Sequence, residues 1–341
     1  MSLTTFYCDL IRQNTFLVTG GAGFIGSHLV EFLLSHQAHR VVVLDNLSTG
    51  SLQNIQSFLE YPNFTFIKGD ICDLATCQQA FDGVDYVLHQ AALNSVPRSL
   101  KDPHATHTVN VTGFMNLMTA MINAPTQVKK MVYASSSSVY GNSRNNIKQE
   151  QDKGEVLSPY AASKLINEIY ADLFSRTHQL DILGLRYFNV FGPRQNTEGL
   201  YPPVIPHFIQ SILNNQPAII HGTGEQTRDF TYIDNVIQAN IKALFTKTQS
   251  NTLKTINIAC NQSVSVNTLW KNINYFCQKN IQPVYAQTRT GDIENSKADI
   301  SEAKNILNYM PEVLFEEGLK RTIVWYQDRD LARYTQLPIN A

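Results

Sequence analysis

The sequence predicts an α/β fold, in which a doubly wound parallel sheet is followed by a smaller C-terminal lobe. The first supporting observation is that short apolar runs, which suit buried strands, alternate with helical periodicity through residues 15–134. The second is a glycine-rich turn after the first apolar run, and the third is a change to proline-rich loops after residue 192. We therefore expect a Rossmann-type nucleotide-binding domain over residues 1–190 and a second lobe mainly over residues 191–341, with a segment near residues 230–260 returning to the first domain.

Composition and charge narrow the possible classes of function. The 341 residues carry a formal net charge of -1 and show no dense cluster of lysines and arginines, which argues against a nucleic-acid partner. No stretch approaches the roughly 18 consecutive apolar residues of a membrane-spanning helix. The first 14 residues include Asp9 and Arg12, so neither a signal peptide nor a membrane anchor is expected. The five cysteines have no paired spacing, which favours free thiols in the reducing cytoplasm over zinc ligands or disulfides.

The glycine-rich turn has the composition of a dinucleotide-binding site. The strand predicted at Thr15–Thr19 leads into residues 20–26, and a helical pattern follows from Ser27. Glycines allow a tight turn and a close approach of the backbone to a pyrophosphate, while the free N–H groups of the helix N-terminus attract the anion. The residues expected to contact the dinucleotide here are Gly20, Gly23, Phe24, Ile25 and Gly26.

Asp45 follows the second predicted strand, residues 40–44, about 20 residues beyond the turn. A carboxylate at this distance hydrogen-bonds a ribose 2′-hydroxyl and repels a 2′-phosphate, so the sequence favours NAD over NADP. The loop that follows offers further contacts to the same adenosine, although ordinary turn chemistry also explains its residue types. These loop candidates are Asn46, Ser48, Thr49 and Gly50.

Two further strand ends supply candidate cofactor contacts, because ligands bind at the carboxyl ends of parallel strands. Residues 64–67 lead to Asp70, whose carboxylate can accept from an adenine amino group. Residues 84–88 lead to small side chains that let the backbone approach a cofactor, and His89 is expected to be packed and hydrogen-bonded rather than catalytic. The candidates are Asp70, Ile71, Gln90, Ala91 and Ala92, together with Asn110 in the helical pattern of residues 108–121.

A serine run and a tyrosine–lysine pair follow the fifth predicted strand, residues 128–134. Ser158 and Pro159 predict a helix start, and Tyr160 and Lys164 then lie four residues apart on one face. A neighbouring ammonium favours phenolate, so Lys164 should lower the pKa of Tyr160 and make it an acid/base, although an exposed tyrosine near a lysine is the commoner explanation of such a pair. The apolar residues expected to pack this helix inward are Leu165, Ile166, Ile169 and Leu173.

Together these features resemble the extended short-chain dehydrogenase/reductases, in which a serine, a tyrosine and a lysine act together. The resemblance covers the chain from Thr15 to about Gln327. Within that family the chain is most similar to bacterial UDP-N-acetylglucosamine 4-epimerases. The stretches that carry this similarity are residues 88–92, 95–99, 185–192, 204–206, 228–230 and 289–292.

The resemblance implies roles for the catalytic residues. Tyr160 is implied as the acid/base, and Lys164 as the residue that lowers its pKa and holds the nicotinamide ribose. Tyr187 is implied as a further cofactor contact. Ser136 is implied to hydrogen-bond the reacting hydroxyl, although the run of four serines leaves Ser137 as the alternative.

The resemblance also implies a UDP-sugar site. Arg228 and Arg289 would clamp the diphosphate with their planar guanidinium groups, with surface salt bridges as the alternative. A small residue at Ser296 admits an N-acetyl group, where a bulky tyrosine restricts the family to unsubstituted hexoses. The remaining implied contacts, for some of which core packing is the alternative, are Ser95, Ser137, Asn189, Val204, Phe208, Ile220, His221 and Asp292.

The implied activity is reversible, NAD-dependent 4-epimerisation of UDP-N-acetylglucosamine and UDP-N-acetylgalactosamine through a transient 4-keto sugar. The implied protein is a homodimeric isomerase, without a metal, that serves polysaccharide biosynthesis. Epimerases of UDP-N-acetylhexosaminuronic acid stay open, because Arg98 could be a structural residue or could meet a sugar carboxylate. Epimerases of UDP-glucose/galactose are a further alternative. A dehydratase or decarboxylase is less favoured, because Ser138 stands where those enzymes carry a carboxylate. The intact set of Ser136, Tyr160 and Lys164 disfavours a non-catalytic NAD-binding module.

Overall fold

The computed structural model describes residues 5–152, 154–196, 203–247, 255–288 and 295–335. None of the helices in these ranges is long and apolar enough to cross a membrane. The strands are β1 Thr15–Thr19, β2 Arg40–Asp45, β3 Phe64–Lys68, β4 Tyr86–His89, β5 Lys130–Ser136, β6 Ile147–Lys148, β7 Ile182–Tyr187, β8 Val190–Phe191, β9 Ile219–His221, β10 Thr227–Arg228, β11 Thr231–Tyr232, β12 Thr255–Ile258, β13 Val264–Ser265, β14 Val284–Ala286 and β15 Asn295–Ala298.

Helices alternate with these strands through the first half of the chain. A π-helical turn, Thr108–Thr112, joins the fifth and sixth α-helices. The α-helices are α1 Thr5–Arg12, α2 Phe24–Ser35, α3 Leu74–Ala80, α4 Val96–Lys101, α5 Pro103–His107, α6 Gly113–Ile122, α7 Pro159–His178, α8 Val204–Leu213, α9 Ile233–Phe245, α10 Val266–Phe276, α11 Ser301–Leu307 and α12 Phe315–Thr335.

The main sheet has seven strands within the described residues, in the order β12-β7-β5-β4-β1-β2-β3. All of its neighbouring pairs are parallel. Both faces are covered: Phe16 and Val18 of β1 pack into one hydrophobic cluster, and Leu17 between them packs into the other. The prediction of a doubly wound parallel sheet is therefore confirmed, and β1 has the predicted bounds because a strand buried on both faces is a continuous apolar run.

Small sheets lie beside the main one. One has the order β13-β10-β15-β6, and its middle strands bring Arg228 of β10 into register with Ser296 of β15. Two-stranded parallel pairs form between β8 and β11 and between β9 and β14. Because β6 comes from the first half of the chain, this sheet joins the segment after the serine run to residues near position 296.

Helix α7 carries the tyrosine–lysine pair and begins as predicted. Ser158 accepts a hydrogen bond from the N–H of Ala161, which caps the helix, and Pro159 occupies its first turn. The predicted inward packing of its apolar residues is wrong in part, because Ile169 is 59% exposed and Leu173 is 39% exposed. Periodicity identifies an apolar stripe, but the face towards the sheet is set by close approach to β5 and β7. The residues buried there are Ala161, Ser163, Lys164, Asn167 and Ala171.

Candidate active site

The glycine turn forms a cradle in which a side chain would not fit. Gly20 has a φ of +69°, and a Cβ at this position would lie 2.6 Å from the backbone nitrogen of Ala91. A Cβ at Gly26 would collide with the carbonyl oxygen of Gly20. Helix α2 starts directly after Gly23, and no side chain caps its N-terminus. The turn therefore offers free N–H groups and close backbone approach to an anion.

A cavity of about 1480 Å³, called here the larger cavity, opens at this turn. Its size exceeds the ~300–1,000 Å³ of pockets that take drug-sized ligands, which suits a dinucleotide. It unites most of the predicted cofactor residues with Ser95, which we expected at the sugar. The predicted residues that line it are Gly20, Gly23, Phe24, Ile25, Gly26, Asp45, Asn46, Ser48, Thr49, Gly50, Asp70, Ile71, Gln90, Ala91, Ala92 and Ser95.

The carboxylate of Asp45 is tied to the turn itself. Its two oxygens accept from the N–H groups of Ala22, at 2.9 Å, and Leu47, at 2.7 Å. Burial raises the pKa of Asp45, and these two backbone bonds partly counteract that shift. Asp70 accepts from the side-chain amide of Asn46 at 2.8 Å. The two acids are thus held at the cavity wall, where each has lone pairs left for a ribose hydroxyl or an adenine amino group.

Four predicted cofactor residues are not among the lining residues of the larger cavity: Tyr160 and Lys164, which are described below, and Asn110 and Tyr187. Asn110 is 2% exposed, and its side chain bonds both backbone groups of Leu93 and the hydroxyl of Ser163. The hydroxyl of Tyr187 accepts from the side-chain amide of Asn240 at 2.8 Å. Both residues support the cavity wall from behind, because their polar groups are already bound within the protein.

The catalytic candidates meet where β5 ends against α7. Ser136 lies close enough to Tyr160 to lower its pKa, and the Oγ of Ser136 accepts from the N–H and the hydroxyl of Ser138. Lys164 is 3% exposed and donates from Nζ to the carbonyl oxygen of Ala134 at 2.8 Å. Of the two candidate serines, Ser136 is the one that affects the pKa of Tyr160, and Ser137 is the one that lines a cavity described below.

Burial governs the protonation of this group. It raises the pKa of Tyr160, and the hydrogen bond from Ser136 only partly opposes the rise. It also lowers the pKa of Lys164 to about 8. The expected lowering of the Tyr160 pKa by Lys164 is not seen, because desolvation penalises both charged forms and the ammonium is bound to the Ala134 carbonyl.

A second cavity, of about 120 Å³ and called here the smaller cavity, adjoins the serine run. It brings together Ser137, Asn189, Arg228 and Ser296, which were predicted to contact the sugar nucleotide. Arg228 donates to the carbonyl oxygen of Thr227 at 2.8 Å, and Asn189 donates to that of Asp229 at 3.1 Å. The remaining described residues of its wall are Ser138, Tyr140, Gly141 and Lys148.

Several predicted substrate residues do not reach either cavity wall. Phe208 and Ile220 are 2% and 1% exposed and belong to the core, and the ring of Phe208 packs edge-on against Trp270 at 5.2 Å. Core packing is therefore the correct interpretation for both. Val204 and His221 are half-buried, and neither lines a cavity described above. The predicted contacts Arg289 and Asp292 lie outside the described residues.

A buried ion pair behind the serine run was missed by sequence reasoning. Arg186 binds Glu168 of α7 at 2.7 Å and donates to the hydroxyl of Tyr140 at 2.9 Å. Ser135 donates to the same Glu168, and Tyr140 donates to Asn257 of β12. The pair therefore fixes both ends of the serine run. An arginine inside an apolar strand was the signal that could have revealed it.

Comparison with known proteins places the chain among epimerases and dehydratases. The model of the NAD dependent epimerase/dehydratase family matches residues 16–259. A putative UDP-glucose 4-epimerase of Methanocaldococcus jannaschii is 36% identical over 316 residues, which are 92% of this chain and 99% of the relative.

Two solved structures are similar over nearly their whole length. The UDP-N-acetylglucosamine 4-epimerase of Methanobrevibacter ruminantium, in complex with UDP-N-acetylmuramic acid, is 38% identical with a TM-score of 0.87, covering 93% of this chain and 99% of that one. The UDP-glucuronic acid 4-epimerase of Bacillus cereus, with UDP-glucuronic acid and NAD, is 32% identical with a TM-score of 0.83, covering 92% and 99%.

The larger cavity fits NAD on its own evidence. The glycine cradle and the uncapped α2 N-terminus suit a pyrophosphate, and Asp45 suits an unphosphorylated ribose. Geometry, family match and relatives agree. This chain belongs to the NAD-dependent epimerase/dehydratase family, and NAD is its cofactor.

Proposed function

We propose that this protein is a UDP-sugar 4-epimerase that interconverts UDP-N-acetylglucosamine and UDP-N-acetylgalactosamine. The observation that carries the proposal is the meeting of Ser136, Tyr160 and Lys164 where β5 ends against α7. The serine run that holds Ser136 also lines the smaller cavity, opposite residues suited to a nucleotide sugar. We therefore infer that Tyr160, which is not among the described residues that line either cavity, acts as the acid/base beside the serine run.

The proposed reaction needs one proton acceptor that later returns the proton. Tyr160 Oη takes the proton from the 4-hydroxyl of the sugar and gives it back to the 4-keto oxygen, so no proton is consumed overall. Ser136 donates to the reacting oxygen, and Lys164 supplies positive charge beside the phenolate. NAD, when bound, supplies reversible oxidation at carbon 4. The configuration inverts because the 4-keto sugar turns before it is reduced on its other face.

Epimerisation is favoured over dehydration by the residues around the serine run. A dehydratase needs a further acid/base to remove a proton beside the ketone and to expel water. Ser138 occupies the position where a carboxylate would serve, and its hydroxyl donates to Ser136 at 2.9 Å. Among the described residues that line the smaller cavity, none is a carboxylate.

Proton NMR of the purified protein with UDP-N-acetylglucosamine tests the proposal. We expect the 4-epimer to appear without added NAD, because the cofactor is regenerated in each turnover. A persistent keto product would identify a dehydratase. Loss of carbon dioxide from a UDP-uronic acid would identify a decarboxylase. Absence of product with every UDP-hexose would leave a non-catalytic NAD-binding module. A panel with UDP-glucose and UDP-N-acetylhexosaminuronic acid ranks the alternative substrates.

Ser296 provides a test of substrate size. Its side chain is small and lines the smaller cavity beside Arg228. We expect Ser296→Tyr to lower kcat/KM for UDP-N-acetylglucosamine by at least about 100-fold, because the ring fills the space for the N-acetyl group. UDP-glucose turnover should be spared and serves as the internal control for folding, and Ser296→Ala should leave both activities near the parent level. Equal loss for both substrates in the tyrosine variant would contradict the gating role.

A homodimer is part of the proposal. Leu100 of α4 is 62% exposed and Ile169 of α7 is 59% exposed, and these helices pack against each other. A second copy of the chain would cover this apolar surface. Sedimentation equilibrium should give twice the mass of one chain.

The five cysteines are free, which suits a reducing compartment, so we propose a cytoplasmic location. We further propose that the enzyme supplies activated sugars for polysaccharide biosynthesis.

A further inference from the structure

Arg194 brings a positive charge into the larger cavity from the second half of the chain. It lines that cavity together with Gly23 and Phe24 of the phosphate-binding turn. Its guanidinium forms an ion pair with Glu31 of α2 through Nη2, and Nη1 donates to the hydroxyl of Ser27 at 3.4 Å. Both contacts are on α2, the helix whose N-terminus faces the pyrophosphate site, although they lie more than 160 residues away in sequence.

The segment that carries Arg194 is held in place. Arg194 itself has a φ of +65°, a left-handed conformation that a non-glycine residue adopts only when its surroundings impose it. The next residue, Gln195, donates from Nε2 to the carbonyl oxygen of Val190 at 2.9 Å, and its own carbonyl accepts from Tyr326. The Arg194 side chain is only 19% exposed. The guanidinium is therefore presented in one position before any ligand arrives.

The charge of Arg194 is not duplicated by His28, the histidine of α2 that lies near it. His28 is buried, and burial together with the charge of Arg194 lowers its pKa to about 4, so His28 is neutral at pH 7. Glu31 is 49% exposed, and its pairing with Arg194 is therefore partly screened by water. A guanidinium has five N–H donors in a fork that matches phosphate oxygens, and Glu31 and Ser27 engage only part of that set.

We propose that Arg194 is a ligand of the NAD pyrophosphate, oriented by Glu31, and that it keeps the cofactor bound between turnovers. The glycine turn supplies neutral N–H donors, and Arg194 adds a full positive charge beside that turn for the doubly charged pyrophosphate. The other cationic residues that line the larger cavity are Arg98, Lys101 and Arg329. This inference rests on NAD as the cofactor and not on which sugar is epimerised. Binding measurements therefore test it independently of the activity.

Competition binding on the purified holoenzyme tests this role. Bound NAD is exchanged for labelled NAD, which is then displaced with unlabelled NAD, ADP-ribose or adenosine. We expect Arg194→Gln to lower the affinities for NAD and for ADP-ribose by about 10- to 100-fold each, because both compounds carry the pyrophosphate. Adenosine, which has no phosphate, should bind as in the parent. Arg194→Lys keeps the charge without the fork and should give an intermediate loss.

A matched control comes from a second arginine that pairs with acids. Arg321 binds Asp234 and Glu317, and it is absent from the lining of the larger cavity among the described residues. Arg321→Gln should leave all three affinities unchanged.

Three results would overturn the proposal. Parent-like affinities of Arg194→Gln for NAD and ADP-ribose would show that Arg194 does not contact the pyrophosphate. Equally weakened adenosine binding would reduce Arg194 to a structural role. A parallel titration with UDP gives the third result: weaker UDP binding with parent-like NAD and ADP-ribose binding would assign the guanidinium to the sugar nucleotide. If Arg194→Gln fails to fold, Arg194→Lys and Glu31→Gln are measured instead. Weaker ADP-ribose binding with parent-like adenosine binding in these variants would support the proposal, because only a ligand of the pyrophosphate makes the two compounds respond differently.

Discussion

Replacing Tyr160 with Phe should lower kcat for the epimerisation by about 10²- to 10⁴-fold, the usual contribution of a general acid/base. The change removes the hydroxyl of Tyr160, whose pKa Ser136 affects, and leaves the ring in its half-buried site. NAD content of the purified protein should stay near that of the parent, because Tyr160 is outside the lining of the larger cavity within the described residues. Product formation followed by proton NMR measures the effect.

Tyr170→Phe is the matched control for this variant. Tyr170 lies on the same helix, α7, and is half-buried, so the same oxygen atom is removed at a distance from the serine run. We expect parent-like kcat. If Tyr160→Phe kept more than a tenth of the parent rate, Tyr160 would not be the acid/base and the proposed reaction would need another proton acceptor.

Replacing Lys164 with Met should lower the epimerase activity and also change how the free energy of unfolding depends on pH. We expect kcat to fall by at least about 100-fold, because the ammonium beside the phenolate is lost.

Burial lowers the pKa of Lys164 to about 8, from 10.5 for an unperturbed lysine. Below pH 8 the folded and unfolded states both carry the ammonium, and the folded state bears the cost of burying it. Between pH 8 and 10.5 the folded state loses the proton first, so this cost is relieved as pH rises.

Urea unfolding of the parent and of Lys164→Met at several pH values measures this linkage. The free energy of unfolding of the variant, minus that of the parent, should fall by about 3 kcal/mol between pH 7 and 10.5. Lys242→Met is the comparison, because Lys242 also donates to a backbone carbonyl, that of Asn308, from a more exposed position. Burial lowers the pKa of Lys242 as well, so its difference should change with pH in the same direction but by less. A pH-independent difference for Lys164→Met would show that its amine is not desolvated.

The cofactor half of the site could be predicted from sequence because its signals are local. Thr15–Thr19 and Asp45 are where the apolar runs placed them, and parallel strands end at the same edge of a sheet. Asn110 and Tyr187 were the exceptions. A polar side chain beside the cavity can face the ligand or support the wall, and only its hydrogen bonds distinguish the two roles.

The substrate half depended on long-range packing and was less predictable. Phe208 and Ile220 have the apolar character expected of residues in a pocket wall, but both are buried in the core. Arg186 of β7 pairs with Glu168 of α7, and the periodicity of neither segment predicts this contact. The apolar stripe of α7 was visible in the sequence, whereas the exposure of Ile169 was not.

The sequence by itself determined the doubly wound sheet, the glycine turn, the acid at Asp45, and the spacing that puts Tyr160 and Lys164 on one helix face. Each of these follows from backbone geometry and from residues close together in the chain. The tertiary structure decided that Ser136 meets Tyr160, that Arg194 reaches α2, and that burial opposes the ionised forms of Tyr160 and Lys164. The physical reason is that desolvation and charge pairing depend on which distant segments pack together.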